Sequence, residues 1–140
     1  MRNAEGYRDP TAFSVLRDID GDTPPTAKPA ATFRPLVYIC SPYAGNTERN
    51  ARKAIQYCQF AIREGMIPVA SHLLYPQMLD DSRAEDRELG TFFGLVLLTK
   101  CVECWVFGLH FTPGMTAEIN KAKRRGIPVR YFTEDLREIK

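Results

Sequence analysis

The sequence predicts a three-layer α/β fold, a parallel β-sheet with helices on both faces. Three observations predict it. Apolar runs of strand length recur at 35–40, 67–70, 102–107 and 127–132. Stretches with apolar residues at i, i+3 and i+4 spacing separate them, which is the period of a helix packed on one side. Gly, Pro and small polar residues mark the junctions. Strands that alternate with amphipathic helices pair in parallel, because each helix carries the chain back along the sheet.

The chain in order supports each element. Residues 1–34 read as a flexible Pro-rich arm: Pro10, Pro24, Pro25 and Pro29 interrupt it, and its acidic and basic residues balance. Within it, 12–16 has the composition of a short docking turn. The α/β domain is expected over 35–140. Its first strand, 35–40, ends at the turn-forming loop 41–46. A helix over 47–64 follows, with Asn46 or Thr47 as cap, Gly65 as stop, and Ala51, Ala54, Ile55, Cys58, Ala61 and Ile62 as its apolar stripe. The second strand, 67–70, contains Pro68, which cannot donate to a ladder and so points to a sheet edge.

The connection 71–81 is more aromatic and apolar than surface loops usually are, so it is expected to pack over something. Ser82 and Glu85 have capping-box spacing and open a helix to about Lys100, whose 92–98 half is apolar nearly all round and is expected to be deeply buried. The third strand is 102–107. After a loop turning on Pro113 and Gly114, a helix over 118–125 points Ala117, Ile119 and Ala122 inward and stops at Gly126. Strand four is 127–132, and 133–139 reads as a short terminal helix.

Right-handed crossovers and an edge-like second strand give the strand order 2-1-3-4, a flavodoxin-like or Rossmann-like layout. The first and third strands are then neighbours whose connections diverge, and ligands bind in such sheets at that switch point. The loops 41–46 and 108–114 lie there, and Glu118 falls beside them. A carboxylate near a helix start gains from the dipole and is expected to stay ionised at neutral pH. It suits a nucleophile's role, and it equally suits a plain helix-start acid. Tyr38, on the first strand, reaches the same cleft if its side chain faces that side of the sheet. A carboxylate with a neighbouring phenol fits glycosyl chemistry, in which the acid attacks an anomeric carbon. Ser41 and Asn46 can serve as ligand donors or as ordinary helix caps.

Several function classes are disfavoured. The 140 residues carry a formal charge of +2, too little for a general pull towards nucleic acid or membrane. No apolar run reaches membrane-spanning length, and the first ten residues lack a signal peptide's apolar core, so a cytoplasmic location is expected. Phosphate-loop and dinucleotide signatures are absent. Cys40, Cys58, Cys101 and Cys104 fall in apolar contexts that fit reduced, buried thiols, and no metal site is expected because their spacing with His72 and His110 matches no zinc pattern.

Two stretches carry a resemblance. Val37-Tyr38-Ile39-Cys40-Ser41-Pro42-Tyr43-Ala44-Gly45 is similar to the first strand and loop of the nucleoside 2-deoxyribosyltransferase-like superfamily. Thr112-Pro113-Gly114-Met115-Thr116-Ala117-Glu118 resembles that superfamily's nucleophile segment, and the middle of the chain looks like a bacterial and phage subgroup placed near those enzymes. The resemblance spans about 35–132. It implies an N-glycosidase or 2-deoxyribosyltransferase acting on a nucleoside or nucleotide. Glu118 would take up the sugar and Tyr38 would position it, with Ser41, Pro42, Tyr43, Asn46, His72, Gly108, Thr112, Gly114 and Met115 holding the substrate. Tyr43, Tyr75 or Trp105 would stack on the base. It implies no cofactor, no nucleic-acid polymer as partner, and a homodimer or higher homo-oligomer. One departure matters: Thr112 stands where the superfamily has an aspartate, and a second aspartate would fall near Leu95. A threonine hydroxyl cannot give the leaving base a proton at neutral pH. Asp80, Asp81, Glu85, Asp86 and His110 are the candidates to replace it. The rival readings are a catalytically inactive nucleotide-binding module of the same fold and an interaction protein that docks through its arm.

Overall fold

The computed structural model describes residues 33–140, and the backbone of two short strands, Asn3–Ala4 and Gly6–Tyr7, that pair antiparallel. The chain divides into two units, Met1–Arg34 and Pro35–Lys140. The arm and the docking turn at 12–16 read from the sequence lie outside the described residues.

The second unit is built on five strands: β1 (Leu36–Cys40), β2 (Ile67–Val69), β3 (Glu103–Phe107), β4 (Val129–Phe132) and β5 (Glu138–Ile139). Their order is β2-β1-β3-β4-β5. The first four are parallel, with Tyr38 level with both Val69 and Cys104. This is the expected α/β layout with its 2-1-3-4 order, and Pro68 does sit on the edge strand. The addition is β5. It pairs antiparallel with β4, where the sequence suggested a helix over 133–139. The chain reverses there through Leu136 at φ 71°, while Thr133 N donates to Arg137 O at 2.9 Å. The Arg130 guanidinium, bonded to Glu138 at 2.7 and 2.9 Å, ties the hairpin together. Helix periodicity is too short a signal over seven residues to compete with that pairing.

Because successive strand residues face opposite ways, the sheet carries two cores. Val37, Ile39, Trp105, Phe107 and Phe132 pack on one face with Tyr57 and Ala61 of α1 (Thr47–Arg63). Tyr38, Cys40, Cys104 and Val106 pack on the other with Leu98 of α2 (Ala84–Leu98) and Met115, Ile119 and Ala122 of α3 (Pro113–Arg124). All four cysteines are free, Cys58 half-buried and the others buried.

The helices depart from expectation in four places. On α1, Ile55 and Ile62 are exposed, and the aromatic Tyr57 fills the inward position, stacked on Phe107 with centroids 4.2 Å apart. Ser82 and Glu85 form no capping box: Ser82 donates from both N and Oγ to Asp80 Oδ1, and α2 starts after Arg83 with no side-chain cap. The 92–98 segment is not deeply buried, since Phe92 is 59% and Val96 41% exposed; only Gly94 and Leu98 are buried there. Finally, α3 begins at Pro113, five residues before Glu118, because Thr112 caps it by accepting from Met115 N at 3.1 Å and Pro113 fits the first helical position. Ala117 is only half-buried, and Met115 holds the inward place.

Candidate active site

The carboxyl ends of β1 and β3 open onto a cleft bounded by the loop after β1, the turns after β2, the start of α2 and the start of α3. Two cavities make it up. The smaller, about 140 Å³, reaches Ser71, Tyr75 and Pro76. The larger, about 820 Å³, spreads over Ser41, Thr112, Gly114 and Met115. Both are lined by Tyr43, His72, Asp81, Arg87, Thr91 and Glu118, so they form one continuous depression. The connection 71–81 packs as two short 3₁₀ turns, Ser71–Leu73 and Tyr75–Gln77, and supplies one wall.

Glu118 lies at the floor. Tyr38, fully buried on β1, donates to Glu118 Oε2 at 2.7 Å. The alternation along β1 sends Tyr38 to the face that α3 covers, and the register between β1 and β3 sets how far along the sheet that meeting falls. Ser71, itself buried, is 2.8 Å from the same hydroxyl. Since the tyrosine's proton is committed to the carboxylate, Ser71 Oγ donates to Tyr38 Oη. The three groups therefore form a directed chain, serine to tyrosine to glutamate. The Cys40 thiol, which donates to Met115 O at 3.8 Å, lies beneath the same carboxylate.

Burial raises the pKa of Glu118, and the bonds from Tyr38 and Cys40 only partly offset it. The helix dipole is therefore not what sets the pKa of this acid. Glu118 sits in the second turn, past the reach of the dipole's positive end, and desolvation dominates. Tyr38 is pushed well above the usual phenol range, first by burial and then by the nearby Glu118 charge. It stays a neutral donor. His72 Nε2 is 2.9 Å from Ser41 Oγ, the ring meets Tyr43 edge-on at 6.3 Å, and burial pushes its pKa down to about 4. It is a neutral imidazole at pH 7.

Of the residues expected to hold a substrate, Ser41, Tyr43, His72, Thr112, Gly114 and Met115 line the cleft. Pro42, Asn46 and Gly108 do not. Asn46 is spent on capping α1, where its Oδ1 accepts from Arg49 N. Gly108, at φ 97°, serves to turn the chain off β3, a conformation that favours glycine. Of the proposed stacking aromatics, Tyr43 and Tyr75 line the cleft, but Trp105 is buried on the opposite face of the sheet and donates to Glu103 at 2.7 Å. Asp81 and Asp86 line it; Asp80, Glu85 and His110 do not. Leu95, near which the resemblance would put a second aspartate, lines the larger cavity as an apolar residue. Thr112, where the resemblance leads one to expect the first, acts as a helix cap.

Sequence reasoning missed Ser71, Arg87, Glu88, Thr91 and Gly94. Arg87 and Glu88 carry no local signal, since alternating charges at a helix start look like a solvated face. Gly94 did carry one. A glycine inside an apolar helical run marks a close approach, and a β-carbon built there would lie 2.9 Å from Ser71 Oγ and 3.0 Å from Tyr38 Oη. Among the described residues no cluster of three or more His, Cys, Asp or Glu has metal-binding geometry, and no helix is long and apolar enough to cross a membrane.

Comparison with known proteins places these features. A family model described as "Domain of unknown function (DUF7768)" matches residues 35–132. No curated protein matches the chain. Among solved structures, one of a 2-deoxyribosyltransferase from the psychrotolerant bacterium Bacillus psychrosaccharolyticus is similar, with a TM-score of 0.59 at 15% identity. The match covers 70% of this chain and 72% of that one. A likeness at that identity establishes a shared fold.

Proposed function

This chain belongs to the DUF7768 family, and we propose that its cleft cleaves or exchanges the base–sugar bond of a nucleoside or nucleotide. The observation that carries the proposal is the 2.7 Å bond from a fully buried tyrosine to the carboxylate of Glu118 at the floor of an open cleft. Burying an acid is costly, and desolvated acids in clefts concentrate at functional sites. Desolvation makes the carboxylate a stronger nucleophile once ionised, and Tyr38 holds its Oε2 in place.

The chemistry runs in two displacements. A Glu118 oxygen bonds to the anomeric carbon while the carbon–nitrogen bond breaks and its electron pair leaves with the base. The base takes up a proton from water in the open cleft, whose wall Asp81 and Asp86 help to form. Water, or a second base, then takes the sugar from Glu118, which regains its carboxylate. The walls support binding: Tyr43 and Tyr75 give flat apolar faces for a base, and Ser41 and neutral His72 give hydrogen-bonding groups for sugar hydroxyls. The likeness to a 2-deoxyribosyltransferase supports the same reading. Kinship with a bacterial and phage subgroup of that superfamily, a cytoplasmic location and assembly as a homo-oligomer belong to the same proposal.

Thr112 favours a second reading. Its hydroxyl is committed to capping α3, so the acid the superfamily keeps there has no counterpart, and the cleft would bind a nucleotide-like ligand without turning it over. One experiment separates the two. The protein is incubated with a panel of deoxynucleosides and their 5′-monophosphates, and free base is followed by chromatography, with Glu118→Ala alongside. Base release by the wild type, abolished in Glu118→Ala, supports the enzyme. Binding without release supports the inactive module. Release that survives Glu118→Ala refutes the nucleophile assignment.

A further inference from the structure

We infer that Ser71 and Gly94 are positioning residues that act on Glu118 through Tyr38. Ser71 supplies the donor that directs the tyrosine proton onto the carboxylate, and Gly94 keeps the space in which Ser71 does so. The inference rests on the glycosyl-transfer reading of the same site for its kinetic consequences, but not for its physical ones.

Three observations carry it. The Tyr38 hydroxyl has one proton and two partners, Glu118 at 2.7 Å and Ser71 at 2.8 Å. Only an arrangement in which Ser71 donates satisfies both when Glu118 is ionised. Second, Tyr38 is fully buried and lines neither cavity, so its hydroxyl has no water to fall back on if Ser71 turns away. Third, α2 passes this pair at a residue with no side chain. A β-carbon on Gly94 would stand 2.9 Å from Ser71 Oγ and 3.0 Å from Tyr38 Oη. Tyr38 is locked in the core, and Ser71 Oγ can rotate, so the serine would give way and the tyrosine would lose its donor.

The chain also works in reverse. When Glu118 bonds to the sugar it loses its charge, and the tyrosine proton can turn to Ser71, which accepts it. Ser71 therefore keeps the hydroxyl satisfied on both sides of the covalent step, and polarised chains of this kind strengthen each bond within them. The other titratable or charged groups around Glu118 are Cys40, which bonds towards it from β1, and His72, Asp81, Asp86, Arg87 and Glu88, which line the same cleft. Ser71→Ala and Gly94→Ala alter none of them.

Both variants are tested in two ways. The Glu118 carboxyl is titrated by carbon-13 NMR, identified by its disappearance in Glu118→Gln. Base release is measured against pH and substrate concentration. Both variants are expected to raise the Glu118 midpoint. They are also expected to lower kcat by about tenfold with KM within about twofold, and to move the acid limb of the pH profile with the NMR midpoint. Gly94→Ala retains the serine hydroxyl and a better helix former, so a shared effect is not a folding defect. An unmoved Glu118 midpoint in either variant overturns the inference. If the midpoint moves in both while the wild type releases no base from any substrate, the hydrogen-bond chain stands and the glycosyl-transfer reading fails.

Discussion

Replacing Tyr38 by Phe tests the buried chain directly, because it removes one oxygen and changes little else. The ring stays in a fully buried place between β1, α2 and α3, so packing is conserved. Two hydrogen bonds are lost. The bond to Glu118, at 2.7 Å and charge-assisted, is worth about 1.5–3 kcal/mol, and the neutral bond to Ser71, at 2.8 Å, about 1 kcal/mol. The expected destabilisation at neutral pH is about 3 kcal/mol. Below the pH at which Glu118 takes a proton, both bonds are neutral and the loss falls to about 2 kcal/mol. Urea unfolding of wild type and Tyr38→Phe, followed by circular dichroism at pH 7.5 and at a pH below the Glu118 midpoint, reads both values. The slopes against urea should agree between the two proteins, so that midpoints compare directly. A loss below about 0.5 kcal/mol at neutral pH, or an equal loss at both pH values, refutes the charge-assisted bond.

Three further outcomes are expected. Glu118→Gln should unfold at a higher urea concentration than wild type at neutral pH. The folded pKa of Glu118 is raised by burial, so its favourable contribution is present below the unfolded pKa and lost as pH rises through the folded one; an advantage that does not shrink towards acid pH contradicts this. For His72, the folded pKa is pushed down to about 4 from 6.5, so stability present above about 6.5 should drain away as pH falls through that window. Nitrogen-15 NMR should show a neutral ring throughout it, and a ring that titrates near 6.5 would remove the buried assignment. Thr112→Ala should cost about 1 kcal/mol by uncapping α3, while Thr112→Asp should cost less than half of that, both measured by thermal unfolding; equal losses would deny the cap.

What the sequence determined by itself was the sheet and the place of the cleft. Strand-length apolar runs, helical periodicity and Pro68 were local signals, and with the crossover rule they sufficed for the 2-1-3-4 order and for a cleft between the loops after β1 and β3. The terminal hairpin was not legible, because it depends on Arg130 meeting Glu138 across a turn and not on any period within 133–139. Nor was the exposure of Phe92 and Val96, since an all-round apolar helix looks the same whether its far side meets protein or solvent. Thr112 could be read as a missing acid, yet its role as the cap of α3 needed the backbone. The state of Glu118 lay furthest from the sequence. Its protonation follows from how much water reaches it and from which hydroxyls point at it, and these come from β1, the turn after β2 and the bare flank of α2 at Gly94. Those segments are brought together only when the sheet closes and the helices pack. A one-dimensional pattern fixes which face of an element is apolar, and only the tertiary structure decides what that face meets and how far water is kept from it.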